Sequence, residues 1–179
     1  GVVWIVLVTA IFIIFLVAFA VRETATDETD GTLDLIAAHP IPRRRLMLEK
    51  AAAMLVAGLG LTVVAVLVLV TMAPAMDMEG LGSINLLGAT ISVFLAGLVF
   101  GGMAFGLGAA TGTRSIALGV SSGFAVFSFV LWGLAPLIDA ISSLERLSPF
   151  FWALAGDPIL HGIQAGNAVL LLGVGLAFM

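Results

Sequence analysis

The chain has 179 residues, 61% hydrophobic and 10% charged, with a formal net charge of −4 and no cysteine; its mean hydropathy is +1.24. Soluble domains carry about 25% charged residues, so this composition excludes an ordinary water-soluble globule and points to an integral membrane protein. The lack of cysteine excludes a disulfide framework and a thiolate metal site, and there is no basic stripe for nucleic acid.

Gly1 to Val21 forms the first apolar run, close to the ~20 residues that span a bilayer. In lipid only a helix or a closed barrel satisfies the backbone. Unbroken apolarity is not the alternation of a barrel strand, so the spans are predicted to be helices. Arg22 marks the predicted end of the first one.

The segment 22–45 is the one long charged stretch in the chain. Its middle, Gly31 to Ala38, reads as a short helix with Leu33, Ile36 and Ala37 sharing one face. Asp27, Glu28 and Asp30 stand where that helix would begin, and negative charge is favoured at a helix N-terminus. Thr24 and Asp27 have capping-box spacing. Pro40 biases His39 out of helical geometry and ends the segment, and Pro42 suits the first turn of the next helix.

Further spans are predicted at 46–73, 85–111 and 116–134, with a short loop around 75–83 and a tight turn at Thr111–Ser115. The third span is rich in glycine. Gly97/Gly101, Gly102/Gly106 and Gly108/Gly112 have GxxxG spacing, as do Gly119/Gly123 in the fourth. Such pairs let helix backbones approach closely in lipid. The segment 137–162 mixes apolar and charged residues. It reads as an interfacial or re-entrant helix pair, with Trp152 and the phenylalanines at headgroup depth. A last span, 163–179, is predicted to be cut short. The expectation is an all-α polytopic membrane protein of one domain, with about five transmembrane helices. Because both ends fall within apolar runs, the chain reads as a fragment.

Alternation of the spans puts Arg22, Arg43, Arg44, Arg45, Lys50 and Arg114 on one side and Arg146 on the other. The positive-inside rule makes the first side cytoplasmic. The three consecutive arginines also suit anionic headgroups. No acid, base or histidine stands well inside the four complete spans, so no proton relay is visible. The chain also lacks a G-x-x-x-x-G-K-[ST] phosphate loop. Any energy must therefore enter through a partner. Thr9, Thr62, Asn85, Thr90, Ser92, Ser121, Ser122, Ser128, Gln164 and Asn167 are the uncharged polar residues of the spans, and are expected to be mostly interhelical hydrogen-bond partners. His39 and His161 have no metal-ligand spacing, and no nucleophile–base pair appears.

The run E-x-D-G-T-L-D-L-I-A-A-x-P-I-x-R from Glu28 to Arg43, followed by Lys50, resembles the signature of the type-2 ABC-transporter permeases. The matching positions are Glu28, Gly31, Thr32, Leu33, Asp34, Leu35, Pro40, Arg43 and Lys50; Pro42 departs from the pattern, since such proteins often have Ser there. The resemblance implies a six-helix unit of which this chain covers helices two to six. It also implies that 22–45 carries a cytoplasmic coupling helix. Leu33, Leu35 and Ile36 would then sit in a cleft on an ATP-binding subunit, and Glu28, Asp30 and Asp34 would pair with its basic groups. ATP and magnesium would be bound by that partner, with no cofactor on this chain. A second permease half and membrane lipids are the other implied partners, and the implied location is a prokaryotic cell membrane. The apolar interior suggests export of an apolar or amphipathic substrate. A non-transporting scaffold or assembly factor is the alternative, and an intramembrane enzyme a distant third.

Overall fold

In a computed structural model of the chain, residues 2–29, 43–72, 83–137, 144–154 and 164–179 are described. They form α1 (Val2–Thr29), α2 (Arg43–Met72), α3 (Ser83–Thr111), α4 (Arg114–Leu134), a 3-10 turn (Ala135–Leu137), α5 (Pro149–Leu154) and α6 (Ala165–Ala177). There is no strand among the described residues. Helices α1 to α4 are each long and apolar enough to cross a membrane, and α6 is a shorter apolar helix. The fold is all-α and polytopic.

Two helix ends differ from the sequence reading. Helix α1 does not stop at Arg22 but continues to Thr29. Charge alone does not break a helix, and the first glycine or proline after Arg22 is Gly31. Thr24 is therefore a helix-interior residue rather than a cap. Its Oγ1 donates to the Ala20 carbonyl at 2.8 Å. Helix α2 begins at Arg43, so that Arg43, Arg44 and Arg45 lie in its first turn.

Helix α3 is the hub. Over an 18-residue, membrane-length window, 78% of the residues of α3 are buried, against 17% for the corresponding window of α2. Its glycines explain why. A Cβ at Gly97 or Gly101 would stand 2.9 Å from Leu16 of α1. On another face, a Cβ at Gly102 would strike the Gly175 carbonyl of α6, and one at Gly106 the Phe178 carbonyl. Removing side chains lets two backbones approach, and the close contact supplies the dispersion that holds helices together in lipid. Around these contacts Phe12, Leu16, Leu98, Phe100 and Phe105 are buried in a common core.

The contacts also fix direction. Residues 97, 101 and 108 of α3 meet 12, 16 and 24 of α1 in rising order, so these helices are parallel. Lys50 of α2 reaches the Glu23 carbonyl, while Gly58 meets Leu16, so α2 is antiparallel to α1. Gly112, at φ 60°, ends α3 in the left-handed conformation that terminates helices and returns the chain into α4. Arg22, Arg44, Arg45, Lys50 and Arg114 consequently gather at one end of the bundle.

At the other end, α5 dips inward. Phe150 packs on Phe100 and on Phe129, each with ring centroids 5.6 Å apart. Ser148 Oγ donates to the Ser128 carbonyl at 2.9 Å and accepts from the Phe150 N–H at 3.2 Å. Phe150 is thus buried against the middle of α3. Ring-to-ring packing on α3 and α4 is what draws it in.

Candidate functional site

The candidate site is the basic end of the bundle, where α1 leaves the apolar region and α2 returns to it. Three joints hold this end. The Lys50 ammonium of α2 donates to the Glu23 backbone carbonyl of α1. The cation thus bridges two helices through a main-chain acceptor, which no side-chain change at position 23 would remove. The second joint is steric: Thr24 is buried, and its side chain lies where a Cβ on Gly108 of α3 would be. Ala117 of α4 touches the same point, 3.8 Å from that Cβ position. The third is Arg45 Nε to Glu49 Oε1 at 2.9 Å, within α2. Its side chains are 72% and 58% exposed, so it contributes little.

The charge pattern on α1 is unusual. Asp27 and Glu28 fall in its last turn, at the negative end of the helix dipole, where acids are unfavourable by about 0.3–1 kcal/mol each. Arg43 to Arg45 open α2, at the positive end of its dipole, with the same sign of penalty. The two helices are antiparallel and adjacent here, so the end of α1 lies beside the opposite dipole end of α2, and Lys50 joins them at the Glu23 carbonyl.

A sequence model of the ABC-2 family transporter proteins matches residues 4–154. The chain belongs to this family. No curated protein and no solved structure matches it. It is therefore the membrane permease subunit of an ABC transporter, a multi-pass protein that works with an ABC-type ATP-binding subunit.

Against that identity the predicted residues fall into three groups. Glu28 lies in the last turn of α1 and Arg43 begins α2. Asp30, Gly31, Thr32, Leu33, Asp34, Leu35, Ile36 and Pro40, with the short helix expected at 31–38, lie outside the described residues. The packing glycines divide further. Gly97, Gly101, Gly102, Gly106 and Gly108 all meet another helix. Gly112 forms the turn instead. At Gly119 and Gly123 a Cβ would meet nothing within 4 Å in this chain.

Of the span hydroxyls expected to be interhelical partners, Thr62, Ser92 and Ser122 donate instead to carbonyls four residues back in their own helices, as Thr24 also does. Such back-bonding satisfies a hydroxyl in lipid without any neighbour. Ser121 Oγ is buried with no partner. Sequence reasoning undervalued Thr24 and Lys50 as joints. Lys50 was visible in the family signature. Thr24 carried no signal beyond being a small polar residue opposite a glycine-rich helix. Among the described residues no group of His, Cys, Asp and Glu could hold a metal ion.

Proposed function

We propose that this permease exports an apolar or amphipathic substrate, and that its ATP-binding partner drives it through residues 30–42. The segment would form a coupling helix on the cytoplasmic face. Leu33, Leu35 and Ile36 would fill a cleft on the partner, and Glu28, Asp30 and Asp34 would pair with its cations. ATP and magnesium would sit on that partner, and a second permease half would complete the pathway in a prokaryotic cell membrane.

One observation supports this reading most. The two helices that flank the segment are tied to each other and to the hub at its doorstep, through Lys50 on the Glu23 carbonyl and Thr24 against Gly108. A force delivered to the end of α1 or the start of α2 would pass to α3 through these contacts. Packed helices shift as units rather than deform. The acids at the end of α1 also favour a cationic surface beside them. The basic residues gathered at this end support its cytoplasmic placement. The uncharged described spans support an apolar cargo, since ionisable groups mark ion pathways at membrane depth.

The test is ATPase stimulation in reconstituted vesicles. Glu28→Lys and Leu35→Asp are expected to abolish substrate-dependent stimulation of the partner by about tenfold or more, the loss of roughly 1.4 kcal/mol or more of coupling, while membrane insertion is unchanged. Full stimulation with both changes would overturn the coupling role of this segment, and no ATP-dependent change in the unaltered protein would favour a scaffold with no transport of its own.

A further inference from the structure

Helix α4 is fastened to the bundle differently from α1 and α2. Those two are joined to each other and to α3 by the Lys50 bond and by Thr24 against Gly108. At the same point α4 offers the Ala117 methyl, 3.8 Å from where a Cβ on Gly108 would stand. The buried residues of α4 are Ala117, Ser121, Ala125 and Ser128, at i, i+4, i+8 and i+11 and so on one side of the helix. All four are small, and the face they form presents little relief to interlock with α1 and α3. One of them is unsatisfied. Ser121 is fully buried and its Oγ makes no hydrogen bond. Its neighbour Ser122 shows what α4 allows, since that Oγ donates to the Leu118 carbonyl four residues back. The equivalent acceptor for Ser121 is the Ala117 carbonyl, and Ser121 does not use it. A buried hydroxyl without a partner is destabilising, and in a native structure it calls for an explanation. Ser121 stands one helical turn from Ala117, and so one turn from the joint at Thr24 and Gly108. Farther along, α1 and α4 part at a groove of about 500 Å³, with Ile13 and Val17 on one wall and Ala125 and Phe129 on the other.

We propose that α4 shifts against α1 and α3 during the transport cycle, along its Ala117–Ser121–Ala125 face, and that the Ser121 hydroxyl, unpartnered in the arrangement described here, gains an acceptor in the other. The orphaned hydroxyl raises the free energy of the first arrangement, which keeps the two close enough to interchange. A displacement of about 1–2 Å, the ordinary scale of helix shifts, is enough to change the partner of one hydroxyl. The small face lets α4 make that shift without forcing a large side chain past the joint. Helices α1, α2 and α3 then move together, and α4 supplies the seam. The inference requires that ATP on the partner drives the permease. It holds whichever segment receives the force, so it can fail while the coupling role of residues 30–42 stands.

The experiment uses the complex of the permease with its ATP-binding partner and compares the nucleotide-free form with the form trapped by ATP and vanadate. Ser121→Ala removes the orphan and breaks no hydrogen bond of the described arrangement. It is expected to raise the Tm of one form by about 2–4 °C and to leave the other unchanged or lower, while the partner's ATP turnover in the complex falls about fivefold. Ser122→Ala, which removes a back-bonded hydroxyl from the same helix, should alter neither the Tm difference between the forms nor the turnover. Equal Tm shifts in the two forms of Ser121→Ala, or an unchanged turnover, would overturn the proposal and leave Ser121 as a packing residue. A lowered Tm in both forms would also overturn it, because the hydroxyl would then already be satisfied by a bound water. An effect of Ser122→Ala as large as that of Ser121→Ala would move the cause off the buried face and refute the seam. Should the partner's turnover prove independent of the permease, the Tm of the two forms decides alone.

Discussion

Gly102/Gly106 on α3 and Gly119/Gly123 on α4 have the same spacing and similar apolar surroundings in sequence, yet they meet opposite environments. The first pair lets the backbone of α6 lie directly on α3, at the Gly175 and Phe178 carbonyls. The second pair faces open space. The helices differ in the same way: 78% of the membrane-length stretch of α3 is buried, against 22% for α4. Glycine spacing therefore marks where a helix is able to accept a neighbour. Whether one arrives depends on position in the bundle, and α3 is surrounded while α4 stands at the margin.

The strongest attempt to break this contrast is Gly102→Leu. The obstacle is a backbone carbonyl that cannot turn aside, so α6 must move away. The expected loss is ~3 kcal/mol or more, at the upper end of overpacking costs, read as a lowered Tm or loss of folded protein in detergent. Gly108→Val comes next. It collides with Thr24, a side chain that has some freedom to yield, so about 2 kcal/mol is expected. Its distinguishing readout is functional: partner-ATPase stimulation should fall further than the Tm shift accounts for, because the α1–α3 joint is displaced.

A smaller effect sharpens the comparison by asking whether a polar tie matters as backbone approach does. Lys50→Met keeps the apolar stem and removes the donor to Glu23. About 1–2 kcal/mol is expected, for a hydrogen bond from a charged group that is only partly buried, with urea unfolding in mild detergent as the check. The smallest change, of opposite sign, belongs to Gly119→Ala and Gly123→Ala. With no neighbour to strike, each should leave the Tm unchanged or raise stability by up to about 1 kcal/mol, through better helix propensity. A marked loss in either would mean that another chain packs on α4, and cross-linking would then detect it.

Much of the fold was legible because membrane insertion depends on quantities that are local in sequence. Length and apolarity dictated four crossing helices. Glycine density singled out α3, and the cluster of cations located one end. The family signature at Glu28–Arg43 was equally local. The candidate site was only half visible. The extension of α1 to Thr29 was not legible, because the charge at Arg22 marks the end of the apolar run and not of the helix. The burial of Phe150 was not legible, because its ring partners, Phe100 and Phe129, are distant in sequence.

By itself, then, the sequence determined that this chain is a bundle of membrane helices with one charged end and the signature of an ABC-2 permease. The reason is that hydrophobic matching to the bilayer and backbone self-satisfaction are decided residue by residue along the chain. Only the tertiary structure decided which glycines are occupied, how Lys50 and Thr24 fasten α1 to its neighbours, and where Phe150 of α5 packs. Those depend on which helices lie side by side, and in lipid that choice rests on shape and close contact rather than on the hydrophobic pattern, which reads the same on every span.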